Sequence, residues 1–571
     1  MHLQPPLWIQ QYRRAYFAGD FIASIIVALL LIPQGLAYAQ LAGLPPMAGL
    51  FASIAPLLIY GFFGSSMTQS VGPMAITSAM TATALTPLAA PGSAQYLILA
   101  ATLSLLSGLL LSIFGLLKLG QITRFLSLPV VQGFSAGTAL LIALGQVGGL
   151  VGTVWRGDTL PALMQQLPNA LNHLQVSSLA FGLSSLLLMW LSGAPSASLL
   201  RYLGINSQHA DLASKVLPLL TMLLIGLALA SHGGHAEIKT LGNLNSLDFK
   251  LQSFSFAPGT LQSLFMPALL IGLAGFLQSI TVAQSIANSR QQHIDANREL
   301  LALGNCNIAA AAVGGMPVSG GFSRTVVNTN AGAQTPLAGM LSAIWIIVAI
   351  CLLLPLLSYL PTALLAATII LATSKMISLA QLKLAWQFDR RDGIAWIMTF
   401  AGVLLTGPMT GIAVGVGIAI LLYLLRSQQP HIAVVGRVPQ SEHYRNVLRH
   451  QVETTPSITA IRIDENLFFA NISTILGKID AELAQRAETS DLVLILSAVN
   501  NIDFSAVNAL KSWLAQLNNK GIALHLAEVK GPVLDTLKHG DFLQQLQNPP
   551  FISTHAAMLA LQPQINEDYT I

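Results

Sequence analysis

The sequence predicts a polytopic α-helical membrane protein that carries a small α/β domain at its C-terminal end. Three observations lead there. The 571 residues are 53% hydrophobic and only 9% charged, with a mean hydropathy of +0.65, against about 25% charged residues in an ordinary soluble domain. Not one Asp, Glu, Lys or Arg stands between Asp20 and Lys118, a gap that no water-facing surface sustains. The charge is also divided. Residues 1–426 hold 17 Lys and Arg against 9 Asp and Glu, a net +8, whereas residues 427–571 hold 10 against 14, a net −4. The basic excess follows membrane topology, so nucleic acid is not an expected partner.

A helix crosses the bilayer with about 20 apolar residues. Windows of that size place candidate spans at 20–42, 48–63, 73–88, 95–117, 126–149, 178–193, 214–230, 264–287, 299–315, 322–332, 336–356, 360–376, 393–406 and 409–425. The third and tenth, at 73–88 and 322–332, are too short to cross about 30 Å at about 1.5 Å per residue. Counting both still gives the better topology. With the N-terminus inside, Arg13, Arg14, Lys118, Arg124, Arg201, Lys215, Arg290, Arg298, Lys375, Lys383, Arg390, Arg391 and Arg426 face the cytoplasm, and only Arg156, Lys239 and Lys250 face out. Fourteen spans with both termini cytoplasmic follow from this positive-inside pattern. The expected domains are a cytoplasmic N-terminus at 1–18, a transmembrane domain at 19–426 and a cytoplasmic tail at 427–571.

In the tail the periodicity changes. Alternating apolar residues over Ser457–Phe469 and short apolar runs at Leu492–Leu496 and Ile522–Leu526 read as strands. Helical patterns at 473–488, 505–519 and 531–546 lie between Asn, Gly and Pro turns. This βαβα order is a small α/β domain at about 457–562.

The two short spans carry the strongest chemical signal. One opens Ser70-Val71-Gly72-Pro73-Met74 and the other Ser319-Gly320-Gly321-Phe322-Ser323. Their matching places in two seven-span halves predict an inverted repeat with a binding site at the repeat interface. Each half-helix aims free N–H groups and its positive end at that site, and Gly72, Pro73 and Gly321 leave those groups uncovered. Such a site takes an anion. Arg324, one turn into the tenth span, has no acidic residue within 20 positions. An arginine at membrane depth costs at least about 2.5–3.5 kcal/mol, and a bound anion is its natural partner. Gln34 and Tyr38, four apart beside Pro33, share a helix face and offer an amide and a hydroxyl to the same cavity. In the eighth span Gln278, Ser279, Thr281 and Gln284 make a polar stripe without an acid.

Other chemistries find no support. His232 and His235 read as a solvated loop rather than a metal site. Cys306 and Cys351 suggest no disulfide and no thiolate site. There is no Walker loop and no nucleophile–base motif, so neither an enzyme nor a bound cofactor is expected.

Ile32–Leu50 reads Ile-Pro-Gln-Gly-Leu-Ala-Tyr-Ala-Gln-Leu-Ala-Gly-Leu-Pro-Pro-Met-Ala-Gly-Leu, and Gly320–Gly339 reads Gly-Gly-Phe-Ser-Arg-Thr-Val-Val-Asn-Thr-Asn-Ala-Gly-Ala-Gln-Thr-Pro-Leu-Ala-Gly. With these runs the chain resembles the SulP family of anion transporters. Asn466–Asn471 and Asn501–Ala506 resemble the family's STAS domain. The resemblance covers nearly the whole chain. It implies a seven-plus-seven inverted repeat of the uracil-permease type, a core domain moving against a gate domain, and a homodimer. It also places Met74 and Ala75 at the start of the third span and Phe322, Ser323 and Arg324 at the start of the tenth, around the anion, with Gln34 and Tyr38 lining the cavity. Many sulfate-transporting members have a carboxylate where Gln278 stands, so proton or sodium coupling is not expected at that position.

The expected function is secondary transport of a small inorganic anion by alternating access in a bacterial-type plasma membrane, with sulfate the first candidate. Bicarbonate, C4-dicarboxylates and halides stay open, because backbone dipoles and one arginine read charge more than identity. A non-transporting membrane motor or receptor is the reading from a different class.

Overall fold

The computed structural model describes residues 6–120, 127–153, 155, 157, 159–173, 176–231, 240–241 and 253–561. Arg124, Arg156, His232, His235, Lys239 and Lys250 lie outside them. The chain divides into two compact units, Met1–Ala419 and Ile420–Ile571.

In the first unit each apolar window expected to span the membrane contains a helix. In chain order these are α1 (Phe17–Leu41), α2 (Pro46–Phe63), α3 (Ala75–Leu85), α4 (Ala94–Leu116), α5 (Leu128–Val151), α6 (Val176–Ser192) and α7 (Ser207–Ser231) in the first half. The second half holds α8 (Pro258–Arg290), α9 (Ala296–Ala312), α10 (Phe322–Asn330), α11 (Leu337–Leu357), α12 (Thr362–Ser374), α13 (Arg390–Thr406) and α14 (Pro408–Ser427). Among the described residues, seven helices are by themselves long and apolar enough to cross a bilayer. Helices α3 and α11 are shorter apolar helices by the same measure, and α6 belongs to a pair bent by 44°. The shortest, α3 with 11 residues and α10 with 9, are the two expected from the sequence.

The packing sorts these helices into two sets that alternate along the chain. Helices α1–α4 pack with α8–α11, chiefly α4 and α2 on α9 and α11 on α1. The other set joins α5 to α12 and α13 and α6 to α12. Small residues permit close crossings. A Cβ on Gly108 of α4 would stand 2.7 Å from the Gly304 carbonyl oxygen of α9, so the two backbones meet only because both positions lack one.

The second unit is a five-stranded sheet with helices. Its strands are β3 (Ile432–Arg437), β4 (Tyr444–Asn446), β5 (Ile458–Ile463), β6 (Asp491–Ile495) and β7 (Ala523–Ala527), in the order β4-β3-β5-β6-β7. β5, β6 and β7 run parallel, and β3 lies antiparallel between β4 and β5. Ile461, Leu494 and Leu526 pack with Ile475 and Leu510 of α15 (Ile472–Ala484) and α16 (Phe504–Asn519) in one core. Three elements go beyond the alternation pattern: β3, whose run Ala433–Val435 is buried residue by residue, β4, and the helix Thr554–Leu561. Three others are shorter than their patterns. The first expected strand stops at Ile463, the helix expected over 473–488 stops at Ala484, and the helix expected over 531–546 stops at His539 before Gly540.

Candidate functional site

Two short strands join the half-helices. In the pair β1 (Val71–Gly72) and β2 (Ser319–Gly320), Val71 lies opposite Gly320 and Gly72 opposite Ser319, antiparallel. Each strand runs within three residues into a helix start, Ala75 for α3 and Phe322 for α10. Met74 and Gly321 hold the N-cap positions in extended conformation, and neither helix has a side-chain cap. Ser, Thr, Asp or Asn would normally accept a bond there. The first bonds in these turns are Ser78 N–H to Met74 O and Thr325 N–H to Gly321 O, both 2.9 Å. The N–H groups before them are left facing the junction.

Arg324 fills the corner between these two starts and is 2% exposed. Its Nη1 donates to the Pro73 carbonyl at 2.9 Å and to Gln34 Oε1 at 3.1 Å. Its Nε and Nη2 are buried and meet no acceptor among the described residues. The guanidinium lies against two glycines. A Cβ at Gly321 would fall 2.9 Å from Cζ, and one at Gly72 would fall 3.5 Å from Nη2. A buried cation with unspent donors between two uncapped helix starts is chemically an anion receptor.

Side chains lace the two segments together. Ser70 N–H donates to Thr325 Oγ1 at 3.1 Å, and Gly321 N–H to the Ser70 carbonyl at 3.0 Å. Asn328 Nδ2 reaches the Thr68 carbonyl at 2.8 Å, and Thr329 Oγ1 the Thr68 hydroxyl at 2.9 Å. Ser279 of α8 accepts from Gly320 N–H at 3.2 Å and from the Gln69 amide.

Of the residues singled out in the sequence, Gln34, Gly72, Pro73, Gly321 and Arg324 come together directly. Met74 and Ala75 stand at the α3 start, and Phe322 and Ser323 are the first two residues of α10, their side chains outside the description. Tyr38 is buried one turn beyond Gln34, within electrostatic reach of Arg324 but not hydrogen-bonded to it. Gln278 sits beside Ser279 with its Oε1 buried and without a partner among the described residues. The polar stripe on α8 is divided, because Thr281 and Gln284 are exposed and only its first half turns inward. Sequence reasoning passed over Thr68, Gln69, Thr325, Asn328 and Glu299. The available signal was polarity inside apolar sequence: Thr68-Gln69-Ser70 is a polar run within the charge-free stretch, and Glu299 is the sole acid between Asp295 and Asp389.

Residues 17–399 match the sequence profile of the Sulfate permease family, and residues 449–558 match that of the STAS domain. Sulfate transporter 4.1, chloroplastic, of Arabidopsis thaliana is 32% identical over 535 residues, covering 91% of this chain and 76% of that protein. Murine Slc26a9, an anion transporter solved in the inward-facing state, superposes with a TM-score of 0.84 at 19% identity, over 97% of this chain and 93% of its own. The transmembrane domain of the cyanobacterium bicarbonate transporter BicA superposes with a TM-score of 0.60 at 20% identity, over 72% of this chain and 98% of its own. The chain is therefore an integral membrane protein of the sulfate permease family, a family of transporters rather than enzymes, with a seven-plus-seven inverted-repeat domain followed by a STAS domain.

Proposed function

We propose that this chain is a secondary transporter of small inorganic anions that works by alternating access, with sulfate the first candidate substrate. The observation that carries the reading is Arg324: a buried guanidinium with Nε and Nη2 unpartnered among the described residues, set between two helix starts without side-chain caps. Leaving such a cation uncompensated costs several kcal/mol, and an oxyanion offsets this by accepting from Arg324 and from the N–H groups of both half-helices. Relatives named as sulfate transporters support sulfate. Gln278 in place of an acid supports exchange or uncoupled transport over coupling at that position. The distribution of Lys and Arg supports cytoplasmic termini, and the family resemblance supports a homodimer.

Bicarbonate is the second reading. Oε1 of Gln278 is a buried acceptor without a partner, and bicarbonate, unlike sulfate, carries an O–H that can donate to it.

The test is radiolabelled sulfate uptake into proteoliposomes, with and without an anion on the opposite side, for the wild-type chain and Arg324→Ala. Saturable uptake that Arg324→Ala abolishes while remaining inserted and monodisperse supports the reading. Equal uptake by both proteins would remove Arg324 from the site. If bicarbonate competes where sulfate does not accumulate, the second reading replaces the first.

A further inference from the structure

Position 278 holds no acid, yet a buried carboxylate stands elsewhere in the same helix set. Glu299, in the first turn of α9, is 0% exposed. Its Oε1 accepts from Ser65 N–H and Ser65 Oγ, both at 2.7 Å, and from Ser66 N–H at 3.2 Å. Tyr60 Oη of α2 lies 2.9 Å from each carboxylate oxygen. No cationic side chain touches the carboxylate among the described residues. Arg298 turns outward and donates to the Phe63 carbonyl.

The Tyr60 hydroxyl has one hydrogen and faces two acceptors, Glu299 at 2.9 Å and Gln69 Oε1 at 3.4 Å. Gln69 passes its amide N–H to Ser279 Oγ, and Ser279 Oγ also accepts from Gly320 N–H in β2. A continuous buried path thus runs from Glu299 through Tyr60, Gln69 and Ser279 to the strand that leads into α10. The node is tight, since a Cβ at Gly320 would collide with both the Gln69 amide and the Ser279 hydroxyl.

We propose that Glu299 is a positioning residue through which pH acts on the anion site, by switching the direction of the Tyr60 hydroxyl. With Glu299 ionised, Tyr60 donates to it. When Oε2 takes a proton from a hydronium ion, leaving water, the new O–H donates to Tyr60 Oη, and the Tyr60 hydrogen turns to Gln69 Oε1. One proton is gained, the Tyr60–Glu299 hydrogen bond reverses its direction, no covalent bond within the protein is broken, and the change reaches Gly320 by way of Gln69 and Ser279. The other titratable groups on the elements around Glu299 are engaged elsewhere. Cys306 on α9 bonds the Pro56 carbonyl, Tyr96 on α4 the Ala42 carbonyl, and Arg290 on α8 the Ala333 carbonyl. Asp295, at the α9 N-cap, accepts from Asn297 N–H and Arg298 N–H.

The inference rests on the anion-transport reading, and two readouts keep the two apart. Infrared difference spectra of the reconstituted protein, titrated between about pH 5 and about pH 8, follow carboxyl protonation without any substrate. A protonated-carboxyl band accompanied by a tyrosine change is expected in the wild type. The band is lost in Glu299→Gln, and the tyrosine change alone is lost in Tyr60→Phe. In sulfate counterflow, both variants lose the wild-type dependence of half-saturation on pH, and Glu299→Asp restores part of it. A wild-type spectrum without that band, or one that survives in Glu299→Gln, overturns the proposal whether or not sulfate is carried. Counterflow abolished by Arg324→Ala but unchanged in its pH profile by Glu299→Gln overturns this proposal and leaves the transport reading standing.

Discussion

Helices α3 and α10 enter one site from the two repeats, yet they share little sequence. The first reads Ala-Ile-Thr-Ser-Ala-Met-Thr-Ala-Thr-Ala-Leu, without a charge. The second, Phe-Ser-Arg-Thr-Val-Val-Asn-Thr-Asn, carries Arg324 and the side chains that lace the pair. Their backbones are nonetheless alike: a two-residue strand, an extended N-cap residue without a side-chain cap, and a helix too short to cross. The difference teaches how the work divides. Both repeats supply the same array of N–H groups, which comes free with an uncapped helix start. Only the second repeat supplies a full charge and the cross-links to Thr68 and Ser70. In return, the first supplies the acceptors that orient that charge, Pro73 O and Gln34 Oε1.

Removing the charge tests this division most severely. In Arg324→Ala the site is reduced to two helix starts. Hydrogen bonds to a charged group contribute about 1.5–3 kcal/mol, so anion affinity should fall about tenfold to about a hundredfold. Equilibrium binding of sulfate to the reconstituted protein measures it. Undiminished affinity would mean that the helix starts suffice and the asymmetry is incidental.

The two glycines beneath the guanidinium give a paired test. A Cβ at Gly321 must displace Arg324 from 2.9 Å, whereas one at Gly72 stands 3.5 Å from Arg324 Nη2 and presses only on the end of the Leu31 side chain, at 3.3 Å. Overpacking costs about 1–3 kcal/mol, so Gly321→Ala should cut transport several-fold and Gly72→Ala much less. The reverse order in an uptake assay would place the guanidinium elsewhere in the working cycle.

A smaller effect is expected at Gln34. Gln34→Ala removes one acceptor of Nη1 while Pro73 keeps the other, at a cost of about 0.5–1.5 kcal/mol. Half-saturation should rise about threefold to about tenfold with maximal rate retained.

The smallest effect on transport belongs to the C-terminal domain. Burial works against the charge of Asp464, but hydrogen bonds from Arg462 Nε at 2.5 Å and from His431 Nδ1 at 2.8 Å outweigh it and hold its carboxyl below the usual range. A carboxyl depressed in the folded state contributes stability that is complete above the unfolded value of about 3.9 and is lost as pH falls through the folded value. Protection of the β5 amides against hydrogen exchange in the full-length protein, taken relative to the intrinsic rate at each pH, should therefore fall below about pH 4. Asp464→Asn should exchange faster at neutral pH and respond less to acid, with sulfate uptake unchanged. A loss of uptake in that variant would tie the STAS domain to the transport cycle.

Much of this was legible in the primary structure, for physical reasons. Hydrophobic length finds membrane helices because the bilayer satisfies no backbone hydrogen bonds, and a Gly-Pro or Gly-Gly break in an apolar run is hard to read otherwise. Arg324 stood out because a lone cation in such a run needs a partner. Gln69 and Glu299 did not stand out, and Ser279 did so only as one member of the polar stripe on α8. Each is an ordinary polar residue until β1 and β2 cross, and Glu299 lies 234 positions from the Ser65 it binds. In the C-terminal domain β3 escaped notice because its run Ala433–Val435 is buried throughout and does not alternate.

Composition and order by themselves determined that the chain is a membrane protein, that it is built as two halves with one short helix in each, and that the second of these short helices carries a lone arginine. These properties depend on the solvent each segment prefers and on local backbone rules, both of which act along the chain. The tertiary structure alone decided which donors are spent and which remain free. Among the described residues, the Nη1 of Arg324 is committed to Pro73 and Gln34, its Nε and Nη2 are not, and the acid in reach of the network approaches through Tyr60 rather than from position 278. Hydrogen-bond satisfaction is a property of groups brought together from distant positions, and no spacing in the sequence records it.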